Sequence, residues 1–124
     1  QIIKGTPLTL YGSGKQTRTF CYITDGIEGF LRVISKGLSG ETYNIGNSQP
    51  EISMIDLVKK LEKIQSKSIP FNLVDYPESY PADEPNRRAP NISKALTHLG
   101  YKPKVSLDEG LQRFFSWAVK NYKN

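Results

Sequence analysis

The chain has 124 residues, of which 37% are hydrophobic and 10% aromatic, and its net charge is +5. This composition is typical of a single small globular domain that buries its own core. The sequence contains no apolar run of membrane-spanning length and no signal-peptide pattern, so we expect no membrane partner. The single cysteine, Cys21, excludes an intramolecular disulfide and is compatible with a cytoplasmic protein.

The positive charge does not predict a nucleic-acid partner, because Lys and Arg are spread among Asp and Glu without a long basic run. It suits a site for a doubly anionic diphosphate, although we interpret most of the lysines as solubilising. We expect no metal site either. Cys21 has no metal-type partner near it in sequence and fits a small packing residue.

The first third of the chain predicts two strands, a loop between them and a helix. The predicted strands are Leu8 to Tyr11 and Phe20 to Ile23. Thr24 or Asp25 then caps a helix that ends at about Gly37. Four apolar residues at helical spacing form one face of this helix: Ile27, Phe30, Leu31 and Ile34.

The remaining elements follow from the same signals. We expect strands at Thr42 to Ile45 and Phe71 to Val74, and helices opening at Ser53, at about Ser93 and at Ser106. The fifteen residues from Tyr76 to Pro90 contain four prolines and predict an irregular loop. Loops of that length inside a compact domain are usually functional sites or disordered, so this segment is a candidate for function.

A glycine loop with two cations joins the first two predicted strands: Gly12-Ser13-Gly14-Lys15-Gln16-Thr17-Arg18. Glycines let backbone N–H groups approach a phosphate closely, and the planar guanidinium of Arg18 can bind phosphate oxygens in pairs. The pattern alone fits an ordinary hairpin loop with solvated cations as well. Both interpretations stay open on this basis.

Several motifs, in the same order along the chain, resemble the signature of extended short-chain dehydrogenase/reductases that act on nucleotide sugars. They are Pro7-Leu8-Thr9-Leu10-Tyr11-Gly12, Gln16-Thr17-Arg18-Thr19-Phe20, Tyr22-Ile23-Thr24-Asp25, Glu41 to Asn47, Asn86 to Ala95, Leu99 to Pro103 and Leu107 to Leu111. The resemblance covers nearly the whole chain. Among these enzymes the chain is most similar to UDP-glucuronate decarboxylases, followed by dTDP-glucose 4,6-dehydratases and UDP-sugar 4-epimerases.

The resemblance implies that two arginines bind the diphosphate of the nucleotide from opposite sides. One is Arg18 of the glycine loop. The other is Arg88 at the end of the proline-rich loop, with Arg87 as the alternative. The residues alone also fit a solvent-facing arginine pair whose charge partner is Asp83 or Glu84.

The resemblance also implies a pocket for the nucleotide base, lined by Leu8, Leu10 and Tyr11. Tyr11 would offer a flat face, and the strand backbone would hydrogen-bond the edge of the base. Lys15 and Gln16 complete the candidate substrate-binding residues. Tyr11 fits a plain core aromatic nearly as well, so its role stays open.

The family's cofactor machinery is not found in this sequence. Its members begin with a glycine-rich nucleotide-binding turn and carry a Tyr-x-x-x-Lys catalytic pair. Tyr11 and Lys15 stand four residues apart but flank the glycine loop, so they cannot lie on one helix face. We therefore expect an α/β fold, namely the small substrate-binding domain of an extended short-chain dehydrogenase/reductase, C-terminal to a Rossmann cofactor domain that it lacks. Residues 1–40 would pack on that domain, and residues 41–124 would bind substrate.

The expected function is to bind a UDP- or dTDP-sugar within an NAD-dependent epimerase, dehydratase or decarboxylase. NAD would be bound by the missing domain, so the chain alone would hold no cofactor and catalyse nothing. The alternative is a stand-alone, non-enzymatic nucleotide-binding or interaction module of the same fold. Because the apolar face of the first helix would lose its cover, we expect a homodimer or a rearrangement of the first forty residues.

Overall fold

The computed structural model describes residues 1–80 and 84–122, which form an α/β fold of short strands and four helices. The elements in chain order are β1 (Leu8–Tyr11), β2 (Thr17–Arg18), α1 (Ile23–Lys36), β3 (Ile52–Ser53), α2 (Met54–Gln65), β4 (Phe71–Val74), β5 (Arg87–Arg88), α3 (Ser93–Leu99) and α4 (Leu107–Asn121). None of these helices is both long enough and apolar enough to cross a membrane.

The chain divides into two compact units. Unit 1 comprises Gln1–Arg18, Ile52–Arg88 and Leu111–Asn124, and unit 2 comprises Thr19–Glu51 and Ala89–Gly110. Unit 1 therefore contains all of the strands and α2, whereas unit 2 contains α1 and α3. The first turn of α4 belongs to unit 2 and the rest of that helix to unit 1.

Two small sheets organise unit 1. In the first, β1 pairs in parallel with β4, so that Leu8 lies opposite Phe71 and Tyr11 opposite Val74. In the second, β2 is the central strand, antiparallel to β3 and parallel to β5. This second sheet contains both arginines expected to bind a ligand.

Helix α2 begins where the sequence predicts. The Ser53 side chain accepts a hydrogen bond from Asp56 N at 3.0 Å and caps the helix. At the other end, Glu62 turns back and accepts from Ile69 N at 2.9 Å. Val58 and Ile69 are buried and contribute to the core of unit 1.

Unit 2 has its core between α1 and α3, at Ala95, Leu99 and Tyr101. The Tyr101 ring is fully buried, and its hydroxyl donates to Gly46 O at 2.9 Å. Burial raises the pKa of Tyr101, and the neighbouring Cys21 thiol raises it further, so this phenol stays protonated. A buried hydroxyl with a partner avoids the cost of an unpaired polar group.

The predicted cap of α1 is wrong, because neither Thr24 nor Asp25 caps it. The N-cap residue is Tyr22, which makes no side-chain capping bond. The Asp25 carboxylate is instead buried and accepts from the N–H groups of Lys104 and Val105 at 3.0 and 2.9 Å. A contact distant in sequence thus takes the side chain that local rules assign to the helix end. The predicted end of α1 near Gly37 is confirmed.

Two predicted strands are not strands. Phe20 to Ile23 leads directly into α1, and the strand here lies earlier, at Thr17–Arg18. Thr42 to Ile45 has no strand assignment, although Tyr43 and Ile45 pack against the unit 2 core as an alternating pattern would require. A side-chain hydrogen bond holds this segment, in which Asn44 Nδ2 donates to Asn91 O at 3.1 Å.

Candidate functional site

The glycine loop has a shape that only glycine can adopt at two positions. Gly12 and Gly14 have φ angles of 64° and 68°, in the left-handed region. A Cβ at Gly12 would lie 2.8 Å from Tyr76 Cε2, and one at Gly14 would lie 2.9 Å from Ile55 Cγ1. The loop is therefore packed from both sides, and it delivers the chain into β2 at a fixed position.

The structure brings Arg18 and Arg88 together. They are directly opposite residues of the parallel pair β2 and β5, so their side chains leave the same face of that sheet. The Glu84 carboxylate bridges them: Arg18 Nη2 donates to its Oε1, and Arg88 Nη2 donates to its Oε2 at 3.2 Å. The two guanidinium groups thus face one anion, and we call these residues the arginine pair.

The members of the arginine pair differ in exposure. The Arg18 side chain is 18% exposed, and its Nη1 also donates to Thr17 O at 2.8 Å. The Arg88 side chain is 61% exposed. Arg87, the alternative candidate, is exposed and lies opposite Thr17 in the sheet. Glu84 is thereby confirmed as a charge partner of Arg88, whereas Asp83 lies outside the described residues.

The other two loop candidates lie beside the end of β1. Lys15 is exposed, and its backbone N–H donates to Ser13 Oγ at 3.3 Å. The Gln16 side chain donates through Nε2 to Tyr11 O at 2.9 Å. At the same edge of the strand, Thr9 N donates to the Gln1 side chain at 3.3 Å. Side-chain amides therefore already satisfy two backbone groups at this edge of β1.

Tyr11 belongs to an exposed aromatic cluster and is not a core residue. Its ring is stacked on Tyr76 with centroids 5.9 Å apart, and Tyr80 lies 4.9 Å from Tyr76 and 6.0 Å from Tyr11. All three rings are more than a third exposed. Leu8 and Leu10, the remaining base-pocket candidates, are half-buried in β1.

Sequence reasoning missed Tyr76 and Tyr80, and it treated Glu84 only as a charge partner. The available signal was the unusual presence of two tyrosines in a proline-rich loop. Aromatic residues in an exposed loop have no core to fill, so they are candidates for ligand contact. Their meeting with Tyr11 could not be read from spacing.

The glycine loop does not fit a dinucleotide cofactor, since it leads into strand β2 and a dinucleotide-binding turn opens a helix. Across residues 1–80 and 84–122, no three His, Cys, Asp or Glu side chains converge as a metal ion would require.

A family model described as GDP-mannose 4,6 dehydratase matches residues 1–114. Human dTDP-D-glucose 4,6-dehydratase is 40% identical over 119 residues, which are 93% of this chain and 33% of the relative. UDP-glucuronic acid decarboxylase 1 of Arabidopsis thaliana is 37% identical over 116 residues, 94% of this chain and 25% of the relative. This chain thus spans about a third or less of the length of these curated relatives.

Solved structures agree with the family model in fold. The UDP-glucuronic acid 4-epimerase of Bacillus cereus, in complex with UDP-glucuronic acid and NAD, superimposes with a TM-score of 0.88 at 39% identity. The match covers 98% of this chain and 38% of that one. The dTDP-glucose 4,6-dehydratase of Bacillus anthracis, in complex with NAD, gives a TM-score of 0.85 at 28% identity over 97% of this chain and 37% of that one. The chain therefore belongs to the GDP-mannose 4,6-dehydratase family, within the extended short-chain dehydrogenase/reductases.

Proposed function

We propose that this chain binds a nucleoside diphosphate sugar, with the arginine pair holding the diphosphate, as part of an NAD-dependent epimerase, dehydratase or decarboxylase. The observation that carries the proposal is that the single carboxylate of Glu84 bridges Arg18 and Arg88. Two guanidinium groups that converge on one anion suit a diphosphate, because each phosphoryl group can accept hydrogen bonds from one arginine.

The tyrosine cluster of Tyr11, Tyr76 and Tyr80 offers a surface for the base of the nucleotide. Its rings lie at the end of β1 and beside Gly12, in the segment that leads to Arg18. We propose that the uracil or thymine base contacts these exposed rings and that the amide of Gln16 moves from Tyr11 O to admit it. Leu8 and Leu10 would support this surface from within β1.

In this proposal the chain contributes binding and orientation, and the remainder of a longer protein contributes the reaction. The two curated relatives described above are about three and four times its length, and the two solved structures described above are complexes with NAD. NAD, when bound in such a protein, would accept and return hydride at the sugar. By itself the 124-residue chain would have no activity, and the cytoplasmic location also stays a prediction.

Isothermal titration of the 124-residue chain with UDP and with dTDP tests the proposal. Arg18→Ala and Arg88→Ala should each weaken binding by about 1.5–3 kcal/mol, the usual value of hydrogen bonds to charged groups. Arg113→Ala removes the same charge from α4 and should leave the affinity nearly unchanged. Equal affinities for the unmodified chain and both arginine-pair variants would refute the assignment.

The alternative of a non-enzymatic module predicts the same binding and therefore needs a different test. A reading frame that carries a glycine-rich Rossmann start and a Tyr-x-x-x-Lys pair upstream of Gln1 would establish the enzyme. Its absence from the intact frame would favour the module.

The exposed face of α1 leads us to propose a second copy as partner. Ile27, Phe30, Leu31 and Ile34 are between 51% and 67% exposed, and they form one stripe along the helix. In a longer protein we propose that residues 1–40 pack on the cofactor domain. In the isolated chain, an apolar stripe that pairs with itself across a two-fold axis would cover the same side chains.

Light scattering on the 124-residue chain should then give the mass of a dimer. Leu31→Lys places a charge in the middle of the stripe and should shift the mass to that of a monomer. Lys36→Glu, at the end of the same helix and off the stripe, serves as the control. A monomer at high concentration for the unmodified chain would contradict this part of the proposal.

A further inference from the structure

We propose that Glu84 is a specificity-determining residue: its carboxylate occupies the arginine pair as an internal stand-in for the diphosphate and must leave when the ligand binds. The inference rests on the proposed function, since it concerns the same two arginines. It adds a competition within the chain, which selects for ligands that can engage both arginines at once.

Glu84 uses both of its carboxylate oxygens. Oε1 accepts from Arg18 and Oε2 accepts from Arg88, so Glu84 spans the pair as a bridging ligand would. The Glu84 side chain is only 14% exposed. A carboxylate in that position is the nearest equivalent to a phosphoryl group that a protein side chain can supply. The planar carboxylate and the tetrahedral phosphoryl group are both oxyanions that accept charge-assisted hydrogen bonds.

Glu84 restricts access to Arg18. Its guanidinium donates to Thr17 O and to Glu84, and its side chain is 18% exposed. Little of that guanidinium is left for a ligand while Glu84 is in place. Arg88, at 61% exposed, is open to a first encounter with an incoming anion. Full engagement of both arginines therefore requires Glu84 to withdraw.

Glu84 and a diphosphate carry charges of the same sign. A diphosphate seated between the arginines would lie against the Glu84 carboxylate, and like charges at such a distance repel strongly where water is partly excluded. Glu84 lies outside regular structure, three residues before β5, so its side chain can turn away without breaking a strand hydrogen bond. A ligand that reaches only one arginine leaves Glu84 on the other and stays exposed to this repulsion.

A positioning role is the competing interpretation, in which Glu84 holds the arginines in place while the diphosphate binds. The two roles predict opposite changes in binding affinity when the charge of Glu84 is removed. If Glu84 competes with the ligand, removing its charge tightens binding. If it positions the arginines, removing its charge weakens binding.

The test is titration of the 124-residue chain and its variants with UDP and with inorganic pyrophosphate. Glu84→Gln, which keeps the shape and removes the charge, should bind both ligands about tenfold more tightly, a loss of competition comparable to one hydrogen bond to a charged group. Glu84→Asp keeps the charge, but its side chain is one methylene shorter and its carboxylate does not reach both arginines. This variant should therefore tighten binding by a smaller factor. Glu78→Gln removes a charge from the same loop and should change the affinity less than about twofold, as expected of a solvated surface charge.

The outcomes separate this inference from the proposed function. Equal or weaker binding by Glu84→Gln, together with weaker binding by Arg18→Ala, would overturn the competition and leave the proposed function standing. Failure of every variant to bind either ligand would overturn both. Circular dichroism checks the fold of each variant, and if Glu84→Gln is unfolded, the sign of the Glu84→Asp change decides.

Discussion

The two units of this chain use polar side chains in opposite ways. In unit 2, Asp25 and Tyr101 are buried, and each is bonded to backbone groups distant in sequence. In unit 1, Arg88 and the rings of Tyr76 and Tyr80 are exposed around the glycine loop. Buried polar groups with fixed partners stabilise one conformation, whereas exposed ones are free to exchange their partners for a ligand. We therefore expect stability to depend mainly on unit 2 and binding on unit 1.

The largest effect should separate two tyrosines. Tyr101→Ala removes a fully buried ring and should lower the free energy of unfolding by about 3–5 kcal/mol, as for other large-to-small core changes. Tyr76→Ala removes a partly exposed ring of the tyrosine cluster and should lower it by less, about 0.5–1.5 kcal/mol, the usual value of an aromatic pair. Urea denaturation measures both, and equal costs would remove the distinction between the units.

A smaller effect should separate two glycines of α1. A Cβ at Gly29 would overlap Ile45 Cγ2 and lie 2.9 Å from Tyr101 Cε2, so Gly29→Ala should destabilise by about 1–3 kcal/mol through overpacking. Gly26 has open space around its Cα, so Gly26→Ala should stabilise by up to about 1 kcal/mol through helix propensity. Thermal unfolding compares the two variants. Equal destabilisation by both would show that the close packing of Gly29 against Ile45 and Tyr101 is not the cause.

The smallest effect concerns how the free energy of unfolding depends on acidic pH. The Ser53 hydroxyl and then the Lys59 ammonium lower the pKa of Asp56 from its ordinary value of 3.8. A lowered folded-state pKa stabilises the fold above 3.8, and this contribution is lost as the pH falls through the folded-state value. Asp56→Asn should therefore lose part of the acid dependence of unfolding.

Urea denaturation between neutral and acidic pH measures this loss. Asp75→Asn makes the same change of charge beside β4 and is the control. An acid dependence unchanged by Asp56→Asn would show that the α2 cap of unit 1 contributes nothing to it.

The sequence predicted some residues of the candidate site but not how the site is assembled. Motif resemblance named Arg18, Arg88 and Tyr11, because the glycine loop and the Arg-Arg segment are short continuous patterns. It could not assign Tyr76, Tyr80 or the bridging position of Glu84. Those roles depend on where a long proline-rich loop folds back, and no local rule fixes that path.

The sequence by itself determined the elements whose causes lie within a few residues. Apolar spacing and the Ser53 and Ser106 caps specified α2 and α4, and Gly100 ended α3, since helix propensity and capping act over one or two turns. Only the tertiary structure decided that Asp25 binds a backbone segment 79 residues away and that Thr42 to Ile45 does not form a strand. It also decided that β2 and β5 place the arginine pair on one carboxylate. Hydrogen bonds and ion pairs between distant segments depend on the whole path of the chain, so they override local preferences wherever both compete for the same side chain.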